Sequence, residues 1–361
     1  MSFDFTIRRE ECMWEKLSKT ARPLVLYGTG NGGDKLIDAL ARFGRTPDGV
    51  FASSGFVRQR TFREMPVLSY EQALQQFGPE MTVLVAFGSS LPEVMERMAE
   101  VNRAHETYIP ELPLFGDDLF TYDYYLAHRE EIAHAYSLLA DDTSRALFTD
   151  MLQYRLRGEM RYLFRTQPDR ESYREILGSR EIRFTLDGGA FRGDSAAVML
   201  EIFPHLEGIL ACEPDPRTFR KLCEFAAAHP AVLPRNCALS DVPAEMTFHT
   251  SGSRGSGGSG ANRRGSDTTV QAIPVDSLCA DFTPDLIKLD VEGWEAEALT
   301  GARQTILRCR PALAVSLDHR ARDLFALPLW IERTLPGTYT YHLRRVPCIP
   351  AWDLMLYAVP K

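Results

Sequence analysis

The chain has 361 residues, 45% of them hydrophobic and 25% charged, with a formal net charge of -8 and an isoelectric point near 5.6. This composition supplies cores for roughly two domains and excludes a mostly disordered chain. The acidic balance leaves no basic footprint for nucleic acid, and no run approaches the roughly 18 apolar residues of a membrane span. The opening residues, MSFDFTIRREECMWEK, contain no apolar h-region and are not read as a signal peptide. The seven cysteines are odd in number and form no C-x-x-C pair. They are therefore expected to be reduced thiols in a cytoplasmic protein, not zinc ligands. Small-molecule or carbohydrate partners fit this balance best.

Residues 1–116 are expected to form a Rossmann-like domain. The apolar run Pro23–Tyr27 leads into Gly28-Thr29-Gly30-Asn31-Gly32-Gly33, and Leu36, Ile37, Leu40 and Phe43 follow at helical spacing. Strands are predicted at Gly49–Ala52 and Met81–Phe87, and a helix at Leu91–Val101. Strands alternating with helices imply a parallel sheet covered on both faces. The first turn matches G-x-G-x-x-G after a strand, yet the second strand ends in Phe51-Ala52-Ser53-Ser54 with no acid for a ribose. A dinucleotide dehydrogenase is disfavoured on that ground. Nucleotide or phosphate binding by Gly28–Gly33 and a tight turn required by packing both remain open.

Residues 117–178 read as a helical connector. Ile132, Tyr136, Leu139, Leu147, Met151, Tyr154 and Leu163 recur at helical spacing, with breaks at Asp141-Asp142 and Gly158.

Residues 179–361 alternate again. Strands are predicted at Ile182–Asp187, Gly208–Glu213, Val232–Asn236, Leu286–Asp290 and Ala312–Leu317, with helical patterns between them. Tyr339–Arg344 and Leu354–Val359 have no helix between them and should pair as an antiparallel hairpin. The Gly/Ser-rich stretch Ser251–Ser266 cannot pack a core. It reads as a solvated loop tip or as a lid whose Arg254, Arg263 and Arg264 meet an anionic group.

The strongest chemistry lies in this last part. Asp187-Gly188-Gly189-Ala190-Phe191-Arg192-Gly193 is a glycine-rich turn between a strand and a helix, where backbone can approach a ligand closely. Glu213 ends the next strand, the place where an acid accepts from a ribose diol. An acid at Asp187 would repel a pyrophosphate and favour a cationic ligand, which points from NAD toward S-adenosylmethionine.

The run Asp285-Leu286-Ile287-Lys288-Leu289-Asp290-Val291-Glu292-Gly293-Trp294-Glu295-Ala296-Glu297-Ala298-Leu299 resembles the signature of the FkbM-type methyltransferases. The segments around Asp187, Glu213 and Cys237–Asp241 fall in that family's order, and Leu138–Arg155 resembles the region preceding its catalytic domain. The resemblance implies a class I methyltransferase fold, a seven-stranded sheet with an antiparallel hairpin, joined by the connector to the first Rossmann-like unit. It also implies S-adenosylmethionine-dependent methylation, usually of a hydroxyl on a sugar or small metabolite. Carried over by position, Asp187, Gly189, Ala190 and Gly193 would hold the donor's methionine end, Glu213 its ribose, and Ala238 and Asp241 its adenine. Phe191 stands where the family often has Asn or Asp.

Methylating an alcohol requires a base. Asp290, Glu292 and His319 are the candidates, each at the carboxyl edge where open α/β sheets bind ligands. His319 could equally cap the next helix, and Glu292 could brace its turn. Lys288 is expected in a structural ion pair. Asp318 could pair with Asp290 and a histidine around a divalent ion, but the spacing supports this poorly and no metal is expected. Trp294 reads as core packing or as a sugar platform. The expected acceptor is a small molecule or carbohydrate, possibly nucleotide-linked. The competing reading is a binding protein whose methyltransferase domain is degenerate and whose first turn does the work.

Overall fold

The computed structural model describes residues 3–53, 61–113, 116, 118–250, 257–258 and 266–361. Among them three sheets form. The first contains β1 (Leu24–Tyr27), β2 (Gly49–Phe51), β3 (Thr61–Phe62), β4 (Met65–Leu68), β5 (Thr82–Val85) and β6 (Glu106–Tyr108), in the order β3-β4-β2-β1-β5-β6. Strands β1, β2 and β5 are buried along their whole length, as expected of parallel strands covered by helices on both faces. Only β3 runs antiparallel, against β4.

The connector segment is helical, and its two sequence breaks are helix caps. Asp141 accepts the Ser144 N–H at 2.6 Å and opens the helix Asp142–Arg157, which Gly158 closes in a left-handed conformation. The preceding helix, Arg129–Leu138, packs on the helix Asp323–Thr334, whereas Asp142–Arg157 packs against the strand Tyr339–Arg345 and the N-terminal helix Met13–Lys19.

The chain continues through β7 (Phe184–Gly188), β8 (Gly208–Cys212) and β9 (Val232–Arg235). Next comes a four-stranded insertion of β10 (Ala238–Leu239), β11 (Ala244–Thr250), β12 (Gly257–Gly258) and β13 (Ser266–Ile273). The main sheet resumes with β14 (Leu286–Leu289), β15 (Ala312–Ser316), β16 (Tyr339–Arg345) and β17 (Leu354–Pro360). Its order is β16-β17-β15-β14-β7-β8-β9, and only β17 is antiparallel to its neighbours. The predicted hairpin is therefore present, inserted so that β17 lies beside β15. The order reverses between β7 and β14, which makes the carboxyl ends of those strands the ligand crevice of this sheet.

The insertion is a departure from the predicted run of five strands and a hairpin. Its strands alternate without a strong apolar face: Thr269 and Gln271 are exposed, Val270 and Ala272 buried. Arg254, Arg263 and Arg264 lie outside the described residues, so the lid reading concerns residues beyond the description. The two large sheets meet near the loop between β16 and β17. Ser89, just beyond β5, pairs with Ile349 through N–H···O bonds of 2.7 and 3.0 Å, and the Trp352 ring lies against Gly88. No described helix is long and apolar enough to cross a membrane.

Candidate active site

The turn after β7 is built from its own backbone. The N–H groups of Gly189 and Ala190 both donate to the Cys212 carbonyl at 3.0 Å, tying the turn to β8. Gly189 has φ +73°, and a Cβ there would lie 1.8 Å from the Asp290 carbonyl oxygen, so no other residue fits without moving β14. Ala190 is buried, and Gly193 is the N-cap of the helix Asp194–Ile202. Phe191 adopts φ +49°, the left-handed region that Asn and Asp tolerate and bulky residues avoid. Its N–H donates to Glu213 Oε2 at 3.0 Å, while Glu213 Oε1 accepts from the Asp215 N–H at 2.8 Å. Burial pushes the Glu213 carboxyl up to about 8, with those backbone N–H groups opposing the shift.

Asp187 lies beneath the turn at the end of β7. Its side chain is fully buried beneath the turn, paired with Lys288 Nζ at 3.2 Å and accepting from Ser195 Oγ at 2.6 Å. Register explains the pairing, because Lys288 on β14 stands directly opposite Asp187 on β7. Lys288 Nζ also donates to the Gly189 carbonyl at 2.9 Å, so the ion pair braces the turn from below. The negative charge at Asp187 is thus compensated within the protein, as the expectation for Lys288 anticipated. The acidity of the crevice lies further along β14.

Asp290 ends β14 with Oδ2 3.7 Å from Lys288 Nζ and Oδ1 3.6 Å from His319 Nε2. Glu292, at φ +55°, brings Oε2 to 3.7 Å from the same nitrogen. His319 follows β15 and is buried, with Nδ1 2.9 Å from Glu295 Oε1. Burial opposes its charged form, but the carboxylates of Glu295, Asp318 and Glu292 outweigh it and hold the imidazole well above its ordinary range. Asp290, Glu295 and His319 each bring one ligand-type atom, all within 4.8 Å of one another, a set that could take a divalent ion. Asp318 is not part of that set. Its carboxylate accepts from Ser316 Oγ at 2.5 Å and from the Asp353 and Leu354 N–H groups at 3.2 and 3.4 Å, which ties β15 to the start of β17.

The methyltransferase FkbM domain family model matches residues 187–342, a span that holds the turn, Glu213, Asp290 and His319. Over that span the chain is similar to the FkbM methyltransferase domain. In fold, the whole chain is similar to the methyltransferase FkbM from Methylobacillus flagellatus KT, with a TM-score of 0.70 at 20% identity over 94% of this chain and 90% of that one. The Aeropyrum pernix fibrillarin with natively bound S-adenosyl-L-methionine overlaps 51% of this chain and 69% of its own at 12% identity, with a TM-score of 0.32. The precorrin-6y C5,15-methyltransferase from Geobacter metallireducens GS-15 overlaps 53% and 87% at 10% identity, with a TM-score of 0.35. No curated protein matches in sequence. The match to a methyltransferase domain model supports a methyltransferase function.

Within the matched span, the structure brings Asp290, Glu292 and His319 together at one edge and places Glu213 at the end of β8, on the far side of β7 from β14. Ala238 sits half-buried in β10, and Asp241 is exposed just beyond it. Trp294 is half-buried and caps the helix Glu295–Gly301. Sequence reasoning missed Glu295, although it lies inside the signature run. It is almost fully buried, and its Oε1 also accepts the Val291 N–H at 2.8 Å. An acid in the first turn of a helix normally reads as a dipole partner, which hid its second task. Arg155 of the connector was missed as well; it reaches the loop that carries His319.

Proposed function

We propose that this protein is an S-adenosylmethionine-dependent methyltransferase that methylates a hydroxyl of a sugar, glycan or nucleotide-linked sugar. The observation that carries the reading is the pairing of two groups at the β7/β14 switch point. One is the braced turn with Glu213, suited to a nucleoside. The other is the Asp290–Glu292–His319 cluster, suited to moving a proton. The residues fit the donor. Each Glu213 oxygen accepts one N–H and keeps a lone pair for a ribose hydroxyl. The carboxylates of Asp290 and Glu292 favour a cation beside them.

When bound, S-adenosylmethionine supplies an already activated methyl group. The protein's own task is to orient an acceptor hydroxyl and remove its proton. Asp290 Oδ1 and His319 Nε2, 3.6 Å apart, form the proton-accepting pair. The carboxylates of Glu295, Asp318 and Glu292 favour the charged form of His319, so Asp290 is the member of the pair suited to accept the proton. Glu295 fixes the ring through Nδ1, so Nε2 is the atom left facing the crevice. We assign residues 1–116, 117–178 and 179–361 to the first unit, the connector and the methyltransferase domain. The first unit would hold part of the acceptor. The free cysteines fit a reducing, cytoplasmic setting.

The intact cluster of three carboxylates around one buried imidazole argues against a degenerate binding domain, which would gain nothing from such a costly arrangement. Equilibrium dialysis followed by methyl-transfer assays on a panel of nucleotide sugars tests the reading. Uptake of S-adenosylmethionine and transfer of label to a sugar are expected. Retention of NADH with no uptake of the methyl donor would overturn it.

A further inference from the structure

Arg155 lies in the helix Asp142–Arg157, outside the span matched by the FkbM family model. Its guanidinium is nevertheless buried. Nη1 donates to the Ala321 carbonyl at 2.9 Å and Nη2 to the Leu317 carbonyl at 3.3 Å. Nε sits 2.8 Å from Glu111 Oε2, and the guanidinium carbon lies 5.4 Å from the centre of the Phe120 ring. Leu317 and Ala321 stand two residues on either side of His319. Glu111 belongs to the segment that leaves β6, the last strand of the first sheet.

Burying a guanidinium is costly unless each face of its fork finds a partner. An apolar side chain would fill the same space at lower cost. The partners here are two carbonyls of one loop and one carboxylate from the other sheet's exit segment. That selection suits a clamp better than a packing element. We propose that Arg155, seated by Glu111, is a positioning residue that fixes the loop carrying His319 and so lets the first α/β unit set the geometry of the methyl-transfer site. The inference rests on the reading of His319 as part of that site.

The clamp acts on where the imidazole sits among its charged neighbours. Those neighbours are Asp290 and Glu292 after β14, Glu295 on the following helix, Asp318 beside it in the loop after β15, and Asp323 and Arg320 downstream. A loosened loop moves His319 away from the carboxylates on the other elements. The 3.6 Å spacing between Asp290 Oδ1 and His319 Nε2 is then lost.

Two variants of the full chain test this while conserving net charge. Arg155→Lys keeps the charge and loses the fork. Arg155→Met combined with Glu111→Leu removes the pair altogether and covers the case in which a lone lysine fails to fold. Calorimetry with S-adenosylhomocysteine should give unchanged affinity for both, because Glu213 and the Gly189 turn are untouched. Turnover in the nucleotide-sugar assay should fall about tenfold in both variants at unchanged acceptor KM. Amide exchange in residues 317–322 should quicken in parallel. Wild-type turnover and exchange in a folded variant that binds S-adenosylhomocysteine would overturn the clamp. Failure of the wild-type protein to bind S-adenosylhomocysteine would instead overturn the donor reading.

Discussion

The molecule contains two glycine-rich turns that follow a parallel strand and open a helix, and they differ in what surrounds them. At Gly28–Gly33 the close contacts are with the protein itself: a Cβ on Gly32 would lie 2.0 Å from the Ala86 carbonyl oxygen, at the end of β5. The neighbouring strand β2 ends without an acid. At Gly188–Gly193 the turn is held by Lys288 from below and by the Cys212 carbonyl from the side, and Glu213 reaches it from the next strand. The same local pattern thus stands beside a strand end without an acid in one sheet and beside Glu213 in the other. What separates them is the set of side chains that neighbouring strands bring to the turn.

The sharpest way to break this contrast is to disable the second crevice alone. Asp290→Asn keeps the shape of the β14 terminus and removes its charge. Turnover on the acceptor found by the nucleotide-sugar assay should fall by about 10²–10⁴-fold, the usual range for losing a general base. Affinity for S-adenosylhomocysteine should change far less. Full activity in that variant would remove Asp290 from the chemistry. Lys288→Met attacks the foundation of the turn. It leaves the Asp187 carboxylate buried without its cation, and thermal or denaturant unfolding should show a loss of about 3–5 kcal/mol. An unchanged midpoint would mean that Ser195 alone satisfies Asp187.

A smaller effect is expected at Glu213. Glu213→Ala should weaken S-adenosylhomocysteine binding by about 1–3 kcal/mol through loss of charge-assisted hydrogen bonds. The wild-type carboxyl, raised to about 8, is largely protonated at neutral pH in the free protein. Ribose hydroxyls donate to the ionised form, so binding must release a proton below that value. Affinity should therefore rise from pH 6.5 to about 8 and then level off, and Glu213→Gln should abolish the slope. Calorimetry in buffers of different ionisation enthalpy measures the proton released. A flat profile in the wild-type protein would separate Glu213 from the ligand.

Much of this architecture was legible before any coordinates. The strands β7, β8, β14 and β15 are short apolar runs because parallel strands are buried on both faces, and such runs stand out against helical spacing. Asp290 and His319 were visible for the same reason, as polar residues that end or follow an apolar strand. The insertion β10–β13 was not legible, since Thr269 and Gln271 alternate with only modest apolar partners. The electrostatics of Asp187 were misjudged, because its partner Lys288 is assigned by strand register, a property no local window contains.

Periodicity and punctuation were enough to locate the strand ends, the two turns, the caps at Asp141 and Gly158, and the acids and imidazole available for chemistry. These features depend on neighbours close in the chain, where propensity and burial act directly. Which charges neutralise one another came only with the folded chain. Lys288 is committed to Asp187, Glu295 to His319, and Arg155 to a loop far along the sequence. Each of those pairings stabilises only when water is excluded around both partners, and that exclusion is produced by the packing of whole elements.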